Sequence, residues 1–258
     1  ILQSISQSLT EQETGIARLA ENSKKNRTEI LPANRHLMFL QMPFNGRNDY
    51  INAVQVPGYK GEDNFVATQW PLEDTVIDFW RLVKDHKVRH IVLLEELSLK
   101  ILPKNEKKSD GLVVCCKEIE QNDTFVSYDV HLSEEPEEAV YMNANIEHIN
   151  IPEQTINVVM LKTPLTNQSI IDVRSKLGLS AWSTPTNCTV VCADGAKLCG
   201  LFIAALNILD MVDAESEVDV FYGVQQIKVV RPEFVQSQEQ FLQLYDLVKA
   251  YLKQKNPF

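Results

Sequence analysis

The run Thr189-Val190-Val191-Cys192 constrains this chain more than any other segment. Three of its four residues are β-branched and none is charged, the pattern of a short buried strand. Ala193-Asp194-Gly195-Ala196 follows at once, small residues around a glycine, as a tight loop needs. Leu201, Ala205, Ile208 and Val212 then recur at helical spacing. A strand, a tight loop and a helix in that order aim loop N–H groups and a helix N-terminus at one spot, and such a spot favours an anion. The same field activates a thiol as a nucleophile, which makes Cys192 a candidate. From these residues alone, a cysteine that simply closes a buried strand explains the pattern as well.

Elsewhere both periods occur in irregular order. Leu2, Ile5, Leu9, Ile16 and Leu19 predict an amphipathic helix over the first 22 residues, a lead-in to the body of the chain. Residues 35–69 read as strands and turns. Thr75 is placed to cap a helix with Val76, Phe79, Trp80 and Val83 on one face. His90 to Leu94 suits a buried strand, and the charged stretch Lys104 to Gly111 an exposed loop. Weak strands follow between Leu112 and Val159, with the acidic run Ser133–Glu138 as a solvated turn. Ser169 is a candidate cap for a helix carrying Ile170, Val173 and Leu177. A last helix shows Phe241, Leu244, Tyr245, Val248, Tyr251 and Leu252 on one stripe. With no internal repeat and no strict βαβ alternation, residues 1–258 predict a single domain around one central sheet.

Composition excludes several functions. A net charge of −10 disfavours a protein that tracks nucleic-acid phosphates. No run approaches the ~18–20 apolar residues of a membrane span. The five cysteines are an odd number with no C-x-x-C pair, and the five histidines are dispersed. No metal site or other cofactor is implied, and a reducing compartment fits best. Cys115-Cys116, Trp70, Phe79 and Trp80 read as packing residues, and Glu95 and Glu96 as solvent-facing.

Longer motifs give the loop a context. Lys25-Asn26-Arg27, Asn48-Asp49-Tyr50-Ile51-Asn52-Ala53, Ala67-Thr68-Gln69-Trp70-Pro71-Leu72, Thr75-Val76-Ile77-Asp78-Phe79-Trp80-Arg81-Leu82 and Arg231-Pro232-Glu233-Phe234-Val235-Gln236-Ser237-Gln238-Glu239-Gln240 occur in this order. Together they resemble the motifs of protein-tyrosine phosphatases, from about Asn22 to Tyr251. The resemblance implies an α+β fold of three layers, a twisted mixed β-sheet flanked by helices. The active cysteine would lie in a phosphate-binding loop between strand and helix.

The family loop is His-Cys-x5-Arg-[Ser/Thr]-Gly. Here it reads Val191-Cys192-Ala193-Asp194-Gly195-Ala196-Lys197-Leu198-Cys199-Gly200. Cys192 keeps the nucleophile position. Leu198 stands where the family has an arginine that grips phosphate bidentately, which a leucine cannot do. Cys199 replaces the supporting hydroxyl, Val191 replaces the histidine, and Asp194 adds a carboxylate that repels phosphate. Lys197 is the one cation in the loop. The family's Trp-Pro-Asp general-acid loop aligns best with Thr163-Pro164-Leu165, which keeps only the proline. The pocket tyrosine is replaced by Thr28, while Gln236 and Gln240 match the water-positioning glutamines.

Losing the charge clamp costs roughly 10²–10³ in rate, and losing the general acid roughly 10²–10⁴. The resemblance therefore implies a catalytically inactive second, membrane-distal domain of a receptor-type tyrosine phosphatase. Such a domain would act as a regulatory and protein-interaction module at the cytoplasmic face of the plasma membrane. Its expected partners are the adjacent active phosphatase domain of the same receptor or of its dimer, and cytoplasmic signalling proteins. Two alternatives stay open: redox sensing through Cys192, with Cys199 as a resolving thiol, or capture of phosphotyrosine without hydrolysis.

Overall fold

A computed structural model describes residues 8–41, 46–60, 63–135, 153–179 and 187–255. Apolar runs too short for helices build one nine-stranded sheet. Its strands are β1 (Leu37–Phe39), β2 (Tyr50–Pro57), β3 (Asp63–Gln69), β4 (His90–Leu93), β5 (Lys107–Ser109), β6 (Leu112–Gln121), β7 (Phe125–Glu134), β8 (Gln154–Leu161) and β9 (Cys188–Cys192). Their order is β1-β2-β3-β9-β4-β8-β7-β6-β5. The centre is parallel, β9 lying between β3 and β4, with β8 parallel to β4. Antiparallel strands complete both sides. This is the mixed sheet the sequence predicts.

Strand β9 is buried at all five positions because both faces of the sheet are covered. Cys188, Val190 and Cys192 point into one core, with Phe65, Phe202 and Phe234. Val191 points into the other, with Trp70, Phe79 and Trp80. Helices α4 (Asn167–Leu177), α5 (Lys197–Glu215), α6 (Val220–Lys228) and α7 (Gln238–Lys255) supply the first core, and α3 (Val76–Asp85) the second. Every residue of α5 from Cys199 to Val212 is buried. A helix apolar on all sides can only pass through a core.

Several local expectations are corrected. The lead-in is not one helix among the described residues: α1 (Gly15–Arg18) and α2 (Ala20–Ser23) are separate turns, broken where Leu19 is extended (ψ 143°). Side chains take the groups a continuous helix would use. Asn34 Oδ1 accepts from the Ile16 N–H, while Asn22 and Asn26 donate to the carbonyls of Ile16 and Ala17. Leu19 is left exposed and Ala17 becomes the buried residue. Leu2 and Ile5 lie outside the described residues.

Thr75 occupies the N-cap position of α3, but its side chain makes no capping bond there. It ends a 3₁₀ turn over Glu73–Thr75, and its hydroxyl accepts from the Leu72 N–H at 2.9 Å. The cap of α4 is Thr166, not Ser169. Each hydroxyl accepts from the other's backbone N–H, at 3.1 and 2.8 Å, a reciprocal capping box. Within the stretch expected as a charged loop lies the short edge strand β5, whose lysines leave it a poor template for further pairing. Ser133 and Glu134 belong to β7, and the rest of that acidic run, beyond Glu135, lies outside the described residues. On α7 the buried stripe is Leu244, Leu247, Val248 and Tyr251, and Tyr245 and Leu252 face outward.

Candidate functional site

In a sheet with a parallel centre, the carboxyl ends of the strands open onto a crevice where loops meet. Strand β9 delivers Cys192 to that edge. Pairing carries on one residue beyond each neighbouring strand: the Leu94 N–H donates to the Val191 carbonyl at 2.9 Å, and the Trp70 N–H to the Cys192 carbonyl at 2.7 Å. This register places Glu95 beside Ala193, so the residue expected in solvent stands at the rim of the loop instead.

The loop turns on Gly195, at φ +67°. A β-carbon there would lie 2.5 Å from the Gln69 backbone nitrogen, so only glycine fits. Gly200, one turn into α5, lets Phe234 approach to where a β-carbon would sit, at 2.6 Å. From behind, the fully buried Arg231 donates to the Gly195 carbonyl and to Asn52 Oδ1, both at 2.8 Å. Burial pulls the Arg231 guanidinium below its usual range. Sequence reading placed Arg231 in a motif without giving it this buttressing position, for which an arginine ahead of a proline is the only local signal.

Where the loop could cradle an anion, the N–H groups of Ala193, Ala196 and Lys197 are engaged by carboxylates. Asp194 Oδ1 accepts from the N–H groups of Ala196 and Lys197, at 2.9 and 3.0 Å, and the Cys192 thiol donates to it at 3.4 Å. The Ala193 N–H donates to Glu95 Oε1. Lys197 points outward, its side chain 61% exposed and its ammonium 3.9 Å from Asp194 Oδ2, a contact of little energetic weight. Leu198 is half-buried and packs against the core that α5 crosses. The Cys199 thiol is fully buried, donates to the Val190 carbonyl at 3.3 Å, and lies 3.2 Å from Cys192 Sγ. Burial pushes the Cys199 thiol well above its usual range, helped by the hydrogen bond to Cys192.

The other sequence-derived positions gather around this loop unequally. Gln240 reaches it, donating to the Lys197 carbonyl at 3.0 Å. Gln236 is exposed, beside Val235 at φ +48°. Thr28 is half-buried, its hydroxyl accepting from the Ile30 N–H at 3.2 Å, on a segment that Arg27 ties to Gln69, Trp70 and Pro71. Thr163 and Pro164 are exposed, whereas Leu165 is half-buried against the α5 core, its carbonyl accepting from Gln243 of α7 at 3.3 Å. Among the described residues no group of His, Cys, Asp or Glu side chains is arranged to hold a metal ion.

The mixed sheet thus carries a cysteine from its parallel centre into a strand–loop–helix turn. The protein-tyrosine phosphatase family pattern matches residues 22–250, and the chain belongs to that family. Mouse receptor-type tyrosine-protein phosphatase epsilon is 33% identical over 91% of this chain, which spans 35% of that protein's length. Mouse receptor-type tyrosine-protein phosphatase alpha is 29% identical over the same share, here 29% of its length. The chain therefore spans about a third of the receptor-type relatives it matches. The catalytic domain of human protein tyrosine phosphatase non-receptor type 18 superposes with a TM-score of 0.77 at 19% identity, over 92% of this chain and 88% of that one. At that identity the likeness speaks for the fold.

Proposed function

We propose that this domain is a catalytically inactive tyrosine-phosphatase domain that serves a receptor-type phosphatase as its second, membrane-distal domain. The observation that carries the reading is Leu198. At the position where the family's arginine clamps the phosphoryl group, an apolar side chain packs against the α5 core. Leu165, at the general-acid position, is likewise apolar and half-buried, and offers no proton to a leaving phenolate. What remains intact is the scaffold, including Gly195, Arg231 and Gln240. The role left for such a domain is docking and regulation, toward the active domain of the same receptor or of its dimer and toward signalling proteins. Its similarity to receptor-type phosphatases supports a place at the cytoplasmic face of the membrane.

The alternative of redox sensing has the proximity it needs, 3.2 Å between Cys192 and Cys199, but not the access. Both residues are sealed from solvent, and burial holds Cys199 as the thiol. Capture of phosphotyrosine finds the loop donors already engaged.

Hydrolysis of a generic aryl phosphate by the purified domain tests the reading. Turnover at least about 10²-fold below that of an active family member is expected, since the loss of either clamp or acid alone costs that much and the two need not add. Turnover comparable to the active enzyme would overthrow the assignment of Leu198 and Leu165.

A further inference from the structure

We propose that Glu95 is a tethered ligand of the cysteine loop: its carboxylate, with that of Asp194, occupies the amides an external oxyanion would need and keeps the loop closed to such ligands. This deepens the reading of the loop as a disabled phosphate cradle and rests on it.

The two carboxylates reach the loop from different parts of the chain. Asp194 is local and accepts from within the turn, taking the N–H of Ala196, the residue that flanks α5, and that of Lys197, its first residue. Glu95 comes from 98 positions away in sequence, at the exit of β4. It is held there by sheet register, because the Leu94–Val191 bond fixes how far β4 runs alongside β9. Leu94 is buried, so the backbone that presents Glu95 is anchored. Glu95 is the only side-chain partner of the Ala193 N–H among the hydrogen bonds of the described residues.

The arrangement is self-consistent electrostatically. A helix N-terminus and loop amides stabilise negative charge, and here the chain brings its own. Asp194 is only 14% exposed at its side chain and also takes the Cys192 thiol, so the loop interior already carries an anion. A tetrahedral dianion entering the loop would have to displace Glu95 from Ala193 while facing Asp194, without the arginine that Leu198 replaces. Leu198 explains the missing clamp, and Glu95 and Asp194 explain why the N–H groups of Ala193, Ala196 and Lys197 are not free either. The two causes are separable: the second can be reversed without restoring the first.

Titration with inorganic tungstate, a non-hydrolysable tetrahedral dianion, followed by amide NMR, tests this. The probes are the Ala193, Ala196 and Lys197 N–H signals of the native domain and of Glu95→Ala, Glu95→Gln and Glu95→Ala/Asp194→Ser variants. In the absence of tungstate, Glu95→Ala should shift the Ala193 signal strongly upfield, and Glu95→Gln, which keeps an acceptor in place, much less. Tungstate should move the three loop signals in the double variant with an affinity at least about tenfold above that of the native chain. An Ala193 signal that ignores Glu95→Ala, or native affinity equal to that of the double variant, would overturn the proposal. Should the double variant fail to give a folded spectrum, the Ala193 response to the two single variants decides the matter alone. Native tungstate binding as tight as in the double variant, without aryl-phosphate turnover, would reject the tethered ligand and leave the inactive-domain reading standing. Native turnover would reject that reading instead.

Discussion

At the residue scale, the site is a set of exchanges between side chains of different reach. Leu198, proposed above to stand at the family's arginine position, packs against the core. Aspartate at 194 turns back onto the amides next to it. The sequence shows which residues stand at these positions, while the packing of Leu198 and the turn of Asp194 onto the amides appear only in the structure. Glu95 does not belong to that group, since nothing local to Leu94-Glu95-Glu96 indicates a partner 98 residues on. His90, at the start of β4, offers a residue-scale test of burial. Its Nδ1 is buried without a hydrogen-bond partner, and burial first, then Arg89, lowers its pKa from 6.5. The folded state thus binds the proton less readily than the unfolded chain. His90 contributes stability that is complete above about pH 6.5 and is lost as pH falls through the lower folded-state value. Melting temperatures at pH 7 and pH 5 should therefore differ more for the native domain than for His90→Gln. An equal difference in both would show that His90 is not responsible.

At the element scale, three helices are fastened by one guanidinium. Arg174 of α4 donates to Asp210 and Asp213 of α5, at 2.5 and 2.9 Å, and to the Tyr251 hydroxyl of α7 at 2.9 Å. Tyr251 also donates to Asp213, so α4, α5 and α7 share one polar network inside an otherwise apolar core. Asp210 is 1% exposed at its side chain, so removing Arg174 takes a cation from a buried carboxylate. Arg174→Met is expected to cost about 3–5 kcal/mol of stability, read as a lower urea midpoint, and Arg174→Met/Asp210→Leu about half of that or less. A loss under about 1 kcal/mol in the single variant would mean that the network contributes only surface-like ion pairs. The periodic apolar positions of these helices are legible in sequence. The network is not, because Arg174, Asp210 and Tyr251 each look like ordinary polar or amphipathic residues until the helices are packed.

For the whole molecule, the proposed loss of catalysis directs attention to what the domain touches. The chain spans about a third of the receptor-type relatives it matches, and its proposed role depends on the remainder. Deleting this domain from its parent receptor should change the activity of the neighbouring phosphatase domain or the set of proteins recovered with it. Unchanged turnover together with an unchanged partner set would remove the regulatory role, though not the account of Leu198. Neither outcome depends on Glu95, so this experiment and the tungstate titration fail independently.

The chain's residues by themselves determined the strand–loop–helix around Cys192, the buried character of β9 and α5, and the family to which the motifs belong. These are consequences of local periodicity, of a glycine where φ must be positive, and of motifs long enough to be specific. Only the structure showed which of two neighbouring hydroxyls sits at a helix N-cap, Thr166 in place of Ser169. It also decided that three asparagines would break the lead-in helix at Leu19, and that Tyr245 and Leu252 would face outward on α7. Above all it decided the contents of the loop. Hydrogen-bond partners separated by 98 residues are chosen by the register of parallel strands, and register is set by packing on both faces of the sheet at once.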